Sequence, residues 1–173
     1  MIPVPYQKLI LFKEKLGLGE KEFEALDPFR DTFIKRKDDF SGYLYDFFLK
    51  IPETGMFLKH YETMGFLKNA WAGWFESLFR WNSEEDFIKY LWRIGIRHVE
   101  VNLDQRYSNL AFSVSRQFCE NIILKEIPAG KRDAIFGTVN RLIDFCMLVE
   151  TDAYIEARAR CDMEIVMGVA DRV

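Results

Sequence analysis

Among the residues of this 173-residue chain that could bind a metal or move a proton, His98 is the most informative, as one of only two histidines. It lies in the run Arg93-Ile94-Gly95-Ile96-Arg97-His98-Val99, and Phe87, Leu91, Ile94 and His98 recur at helical spacing. That spacing puts an imidazole on the stripe that faces a core, where a polar ring has to find a partner. Two partners are compatible with it. One is a hydrogen-bonding group inside the core. The other is a metal, heme iron included, because a neutral imidazole is a good ligand and Gly95, one turn earlier, would leave room for a flat macrocycle.

Other chemistry is thinly supported. The chain has no glycine-rich phosphate loop and no H-E-x-x-H pair, and Glu84-Glu85 and Asp38-Asp39 read as solvated helix surface rather than catalytic dyads. His60 reads as a surface residue. Cys119, Cys146 and Cys161 are too few and too widely spaced for zinc, their odd number argues against a disulfide framework, and they read as small buried hydrophobes. The chain is not expected to be an enzyme.

A net charge of −3 with acids and bases intermixed offers no basic face to nucleic acid and no polybasic segment to a lipid surface. The start, Met-Ile-Pro-Val-Pro, lacks a basic segment followed by an apolar one, and no run approaches about eighteen apolar residues. A soluble cytoplasmic protein with no membrane partner is expected. Sixteen Phe, seven Tyr and four Trp suit a crowded core or the walls around a bulky ligand.

Proline and glycine divide the chain into helices and leave no alternating strand pattern. Tyr6 to Leu16 forms a short amphipathic stretch closed by Gly17 and Gly19. Pro28 starts a segment carrying Phe29, Phe33, Phe40, Leu44, Phe47 and Phe48, ended by Ile51-Pro52, with Pro52 to Gly55 read as a turn. A helix follows with Phe66, Leu67, Ala70, Trp71, Trp74, Phe75 and Leu78. Ser83 with Asp86 forms a capping pattern that starts the His98 helix. The next helix runs from about Asp104 to Glu126 with a stripe of Tyr107, Ala111, Val114, Phe118 and Ile122. The last begins near Lys131, with Ile135, Val139, Leu142, Cys146 and Val149 on one side and Phe136, Ile143, Met147 and Tyr154 widening the apolar arc. The expected class is all-α, with six to seven helices.

These residues also carry a family likeness. His98-Val99-Glu100-Val101-Asn102-Leu103-Asp104-Gln105-Arg106-Tyr107-Ser108-Asn109-Leu110-Ala111-Phe112 resembles the proximal segment of the sensor globin domain of bacterial globin-coupled sensors, related to protoglobins, whose pattern is roughly H-x-x-I-G-L-x-P-x-W-Y-x-x-A-F. Leu44-Tyr45-Asp46-Phe47-Phe48-Leu49 with Ile51-Pro52-Glu53 resembles the family's F-Y-x-x-L and trailing P-E, and Leu18 to Leu26 resembles the entry to its first long helix. The resemblance spans roughly 18–155. Departures stand at Asn102, where glycine is usual, at Gln105 for proline and at Ser108 for tyrosine.

The resemblance implies one globin-fold domain over 1–173, with an extra N-terminal helix in an extension over 1–17, a core over about 18–160, and a tail or effector link over 161–173. It implies heme b (iron protoporphyrin IX), with His98 as the proximal iron ligand and its second ring nitrogen donating a hydrogen bond. Tyr45 would be the distal donor to a diatomic gas, O2 foremost and CO or NO besides. Leu67, Ala70 and Trp71 would line the distal wall and Tyr107 would belong to the cofactor site, with the alanine at Ala70 leaving Tyr45 as the one evident distal donor. It further implies a homodimer through the last two long helices, signalling to an effector such as a chemotaxis transducer or a diguanylate cyclase. The alternative is a heme-free globin-fold dimerisation or interaction module in a signalling pathway.

Overall fold

The computed structural model describes residues 2–60, 64–80 and 83–170. The helices are α1 (Tyr6–Lys15), α2 (Glu20–Leu26), α3 (Arg30–Ile34), α4 (Lys37–Leu49), α5 (Pro52–His60), α6 (Met64–Phe79), α7 (Glu84–Glu100), α8 (Gln105–Glu126) and α9 (Arg132–Ala170). Single 3-10 turns at Asp27–Phe29 and Ala129–Lys131 join α2 to α3 and α8 to α9. No strand occurs among the described residues. The fold is all-α, as the periodicity requires, and α1 is the extra N-terminal helix.

Gly17 closes α1 in the left-handed conformation at φ +67°, where a glycine meets no steric penalty. Leu9 on α1 and Leu18 beyond it are both buried. The segment that follows Pro28 is not continuous: it breaks at Lys35 and Arg36 into α3 and α4. Pro52 to Gly55 is not a free turn but the opening of α5, with Pro52 at the first helical position, where a missing N–H costs nothing. The corner before it is tight. The Thr54 hydroxyl donates to the Phe48 carbonyl at 2.6 Å, and a Cβ on Gly55 would lie 2.7 Å from the Leu49 carbonyl oxygen.

Two packing systems meet in the core. In one, α9 lies against α7, α8 and α2, with Ile135, Val139, Leu142, Cys146 and Val149 all buried, as their spacing predicts. In the other, α4 packs against α6 through aromatic rings: Phe40 stacks on Phe75 at 4.4 Å, and Phe118 from α8 meets both edge-on, at 5.4 and 5.7 Å. Phe33 stacks on Phe79 at 4.4 Å. Core crowding accounts for much of the aromatic content.

On α8 the buried positions are Ser108, Phe112, Val114, Ser115, Cys119, Ile122 and Ile123. Val114 and Ile122 belong to the expected stripe, whereas Tyr107, Ala111 and Phe118 are only partly buried, because α4 and α9 flank the helix on two sides. Cys119 and Cys146 are buried, but Cys161 is exposed near the end of α9, where no helix covers it.

Candidate functional site

The helix that presents His98 is fixed at both ends. At its start the Asp86 amide donates to Ser83 Oγ at 3.1 Å, and Glu84, Glu85 and Asp86 complement the positive end of the helix dipole. Its apolar face, Phe87, Ile88, Leu91, Trp92 and Gly95, is buried. His98 follows on the next turn. The far end closes through Asn102, left-handed at φ 52°, with the Asn102 amide donating to the Val99 carbonyl at 2.9 Å and the Leu103 amide to the His98 carbonyl at 2.8 Å. Asparagine is among the few residues besides glycine that adopt this conformation readily, so it suits the left-handed closure.

One nitrogen of the imidazole has no partner among the described residues. That atom, Nδ1, is buried, and burial pulls the ring's pKa down to about 4, so the ring is neutral at neutral pH. Ser108, which stands where tyrosine is usual, is buried on α8 and no hydrogen bond joins it to His98. The hydrogen bond that the resemblance implies for the second ring nitrogen is therefore not made by a described side chain.

Gly95 has a different role from the one expected of it. A Cβ there would lie 2.4 Å from the Glu150 carbonyl oxygen and 2.7 Å from Ala153 Cβ, so its missing side chain admits α9 rather than a flat ligand. It fixes how closely the His98 helix crosses α9.

Across the fold, Tyr45 on α4 is buried. One turn on, the Phe48 ring lies 6.2 Å from Trp71 of α6 and 6.5 Å edge-on to Tyr107 of α8. Phe48 thus joins Trp71 and Tyr107, two of the residues singled out in the sequence, to the Tyr45 face of α4. Leu67 is partly buried against the same core, and Ala70 is exposed. The side chain of His60 lies outside the described residues.

Two features escaped the sequence reading. Lys68 Nζ stands over the Tyr45 ring, 4.6 Å from its centroid. Glu150 is buried on α9 and accepts a hydrogen bond from Trp74 Nε1 at 3.1 Å, tying α6 to α9. Burial pushes its pKa up to about 8, against the smaller opposing effect of the Trp74 bond. Glu150 sits four residues after Cys146 on the buried stripe, so spacing could have flagged it. Lys68 carries no comparable signal, because only the approach of α4 to α6 gives it a role.

Among the described residues no helix is long and apolar enough to cross a membrane. No curated protein matches the chain. Its fold is similar to that of the globin domain of the Geobacter sulfurreducens globin-coupled sensor, with 30% identity and a TM-score of 0.76 over 83% of this chain and 95% of that one. It also resembles the globin domain of E. coli DosC in its ferric form, at 17% identity and a TM-score of 0.70 over 83% of this chain and 99% of that one. For the ferrous form of DosC the TM-score is 0.68 at 17% identity, over 82% and 97%. The family description that matches residues 7–160 is Protoglobin. The chain has the globin fold and belongs to the protoglobin family.

Proposed function

We propose that this chain is a heme-binding sensor globin domain in which His98 is the proximal iron ligand and Tyr45 the distal hydrogen-bond donor. The observation that carries the reading is the half-buried His98 ring, neutral and with a buried Nδ1 that has no hydrogen-bond partner among the described residues, on a helix closed at both ends. A neutral imidazole carries a free lone pair on one of its ring nitrogens, the form in which histidine binds a metal. Heme b, when bound, would supply the iron centre at which a diatomic gas is held.

The chain's own residues would do the rest. The hydrogen bond from the Leu103 amide to the His98 carbonyl holds the last turn of α7, and with it the direction of the imidazole. The Tyr45 hydroxyl would donate to a ligand that gains negative charge, favouring O2 over CO by about 1 kcal/mol. Leu67, Trp71 and Tyr107 would exclude water from that side, with Ala70 setting the space beside them. A homodimer through the last two helices would cover apolar side chains left exposed on them, Leu124 on α8 and Phe136, Ile155 and Met163 on α9, with an output to an effector along α9.

A titration of purified protein with hemin, followed by visible absorbance and then by dithionite reduction under CO, tests the reading. We expect one saturable Soret band per chain that shifts with CO, is lost in His98→Ala, and is restored to that variant by free imidazole. A wild-type protein with no saturable band would replace the gas sensor with a heme-free interaction module.

A further inference from the structure

Lys68 is a partly buried cation on α6. Among the described residues no carboxylate and no hydrogen-bond acceptor pairs with its ammonium, which rests on the face of buried Tyr45 at 4.6 Å from the ring centroid. Most of the other lysines that make contacts behave differently: Lys8, Lys13, Lys35, Lys37 and Lys89 all reach a carboxylate. A cation held over a ring is attracted by its π electrons, and that attraction grows as water is removed. It does not cancel the positive charge.

The ring beneath it adds a second donor. Tyr45 lies on α4 one turn before Phe48, which joins α4 to Trp71 on α6 and Tyr107 on α8. Lys68 lies on α6 between Leu67 and Trp71, which pack against the same core. An ammonium against the π face also draws electron density from the phenol, which strengthens its hydroxyl as a hydrogen-bond donor. Two donor-bearing side chains, one of them charged, therefore lie against each other, one from α4 and one from α6.

We propose that Lys68 and Tyr45 together form a receptor for a small monovalent anion at the distal face of the site. The inference rests on the heme reading above and deepens it. Charge-assisted hydrogen bonds are about twice as strong as neutral ones, so the site would discriminate in favour of anionic ligands over neutral ones of the same size. Lys68 then supplies the second distal donor that alanine at Ala70 does not.

The test is fluoride affinity of the ferric, heme-loaded protein, read by absorbance, set against CO affinity of the ferrous protein. Lys68→Met is expected to lower the ratio of fluoride to CO affinity about tenfold, which corresponds to ~1.4 kcal/mol. Lys68→Arg keeps the cation and is expected to stay within about threefold of wild type. If Lys68→Met takes up heme poorly, Lys68→Gln gives the same comparison. An unchanged ratio in the neutral variants overturns the proposal. So does a low-spin ferric wild type that becomes high-spin on Lys68→Met, since the amine would then itself occupy the iron. Failure of the wild type to bind hemin is seen before any fluoride is added, and overturns both readings together.

Discussion

Replacing the buried Glu150 by glutamine should abolish one arm of the protein's pH dependence. The carboxyl lies on α9 where α6 and α7 meet it, bonded to Trp74 Nε1 and four residues after Cys146, whose thiol burial likewise pushes up. Its pKa rises from 4.5 to about 8 on folding. A raised pKa means that the folded state holds the proton more tightly. The stability this contributes is fully present below 4.5 and is lost as the pH rises through 8.

At 1.36 kcal/mol per unit, ionisation of the unfolded chain costs the fold about 1.4 kcal/mol at pH 5.5 and about 4.4 kcal/mol at pH 8, a loss of about 3 kcal/mol across that interval. Glu150→Gln retains a side-chain oxygen to accept from Trp74 and does not titrate. His98 acts in the opposite direction, since its pKa falls from 6.5 to about 4 and stability is lost as the pH drops through that range. That contribution is common to both proteins and cancels in their difference. Urea unfolding at the two pH values should therefore show the variant gaining about 3 kcal/mol on wild type between pH 5.5 and pH 8. Parallel profiles, agreeing within about 0.5 kcal/mol at both pH values, would refute the buried, proton-holding carboxyl.

Three further substitutions probe the frame that holds His98. Gly95→Ala puts a Cβ 2.4 Å from the Glu150 carbonyl and must push α7 off α9, so a loss of about 2 kcal/mol or more is expected in denaturant unfolding; a neutral result would mean the crossing is looser than described. Asn102→Gly should leave stability within about 0.5 kcal/mol of wild type, whereas Asn102→Val, a β-branched residue at φ 52°, should cost roughly 1–2 kcal/mol. Equal stabilities of the two would argue against a left-handed closure of α7. Ser83→Ala removes the acceptor for the Asp86 amide and should lower the melting temperature by the equivalent of about 1 kcal/mol, with Ser83→Asp restoring it.

What the sequence reveals of this molecule is what a single helix can encode. Phe87, Leu91 and His98 share a face because 3.6 residues make a turn, and the structure buries Phe87 and Leu91 and half-buries His98. The stripe from Ile135 to Val149 and the Ser83 cap follow from the same local rules. Even Asn102, conspicuous as a departure from glycine, is explained by its own backbone angle. The break at Lys35 and Arg36 and the opening of α5 at Pro52 are less legible, because there the course of the chain is set by what α3, α4 and α5 must pack against.

The remaining features depend on which helix lies opposite, and no one-dimensional pattern carries that. Gly95 is consistent with space for a ligand or with close approach of a neighbour, and only the position of α9 decides. Lys68 looks like one more surface lysine until α4 brings Tyr45 beneath it. Trp74 and Glu150 are 76 positions apart, and their bond exists only because α6 and α9 flank the same interior. The one group that combines both kinds of information is His98. Its spacing sends it inward, and packing then leaves it neutral, the form in which an imidazole can give its lone pair to a metal.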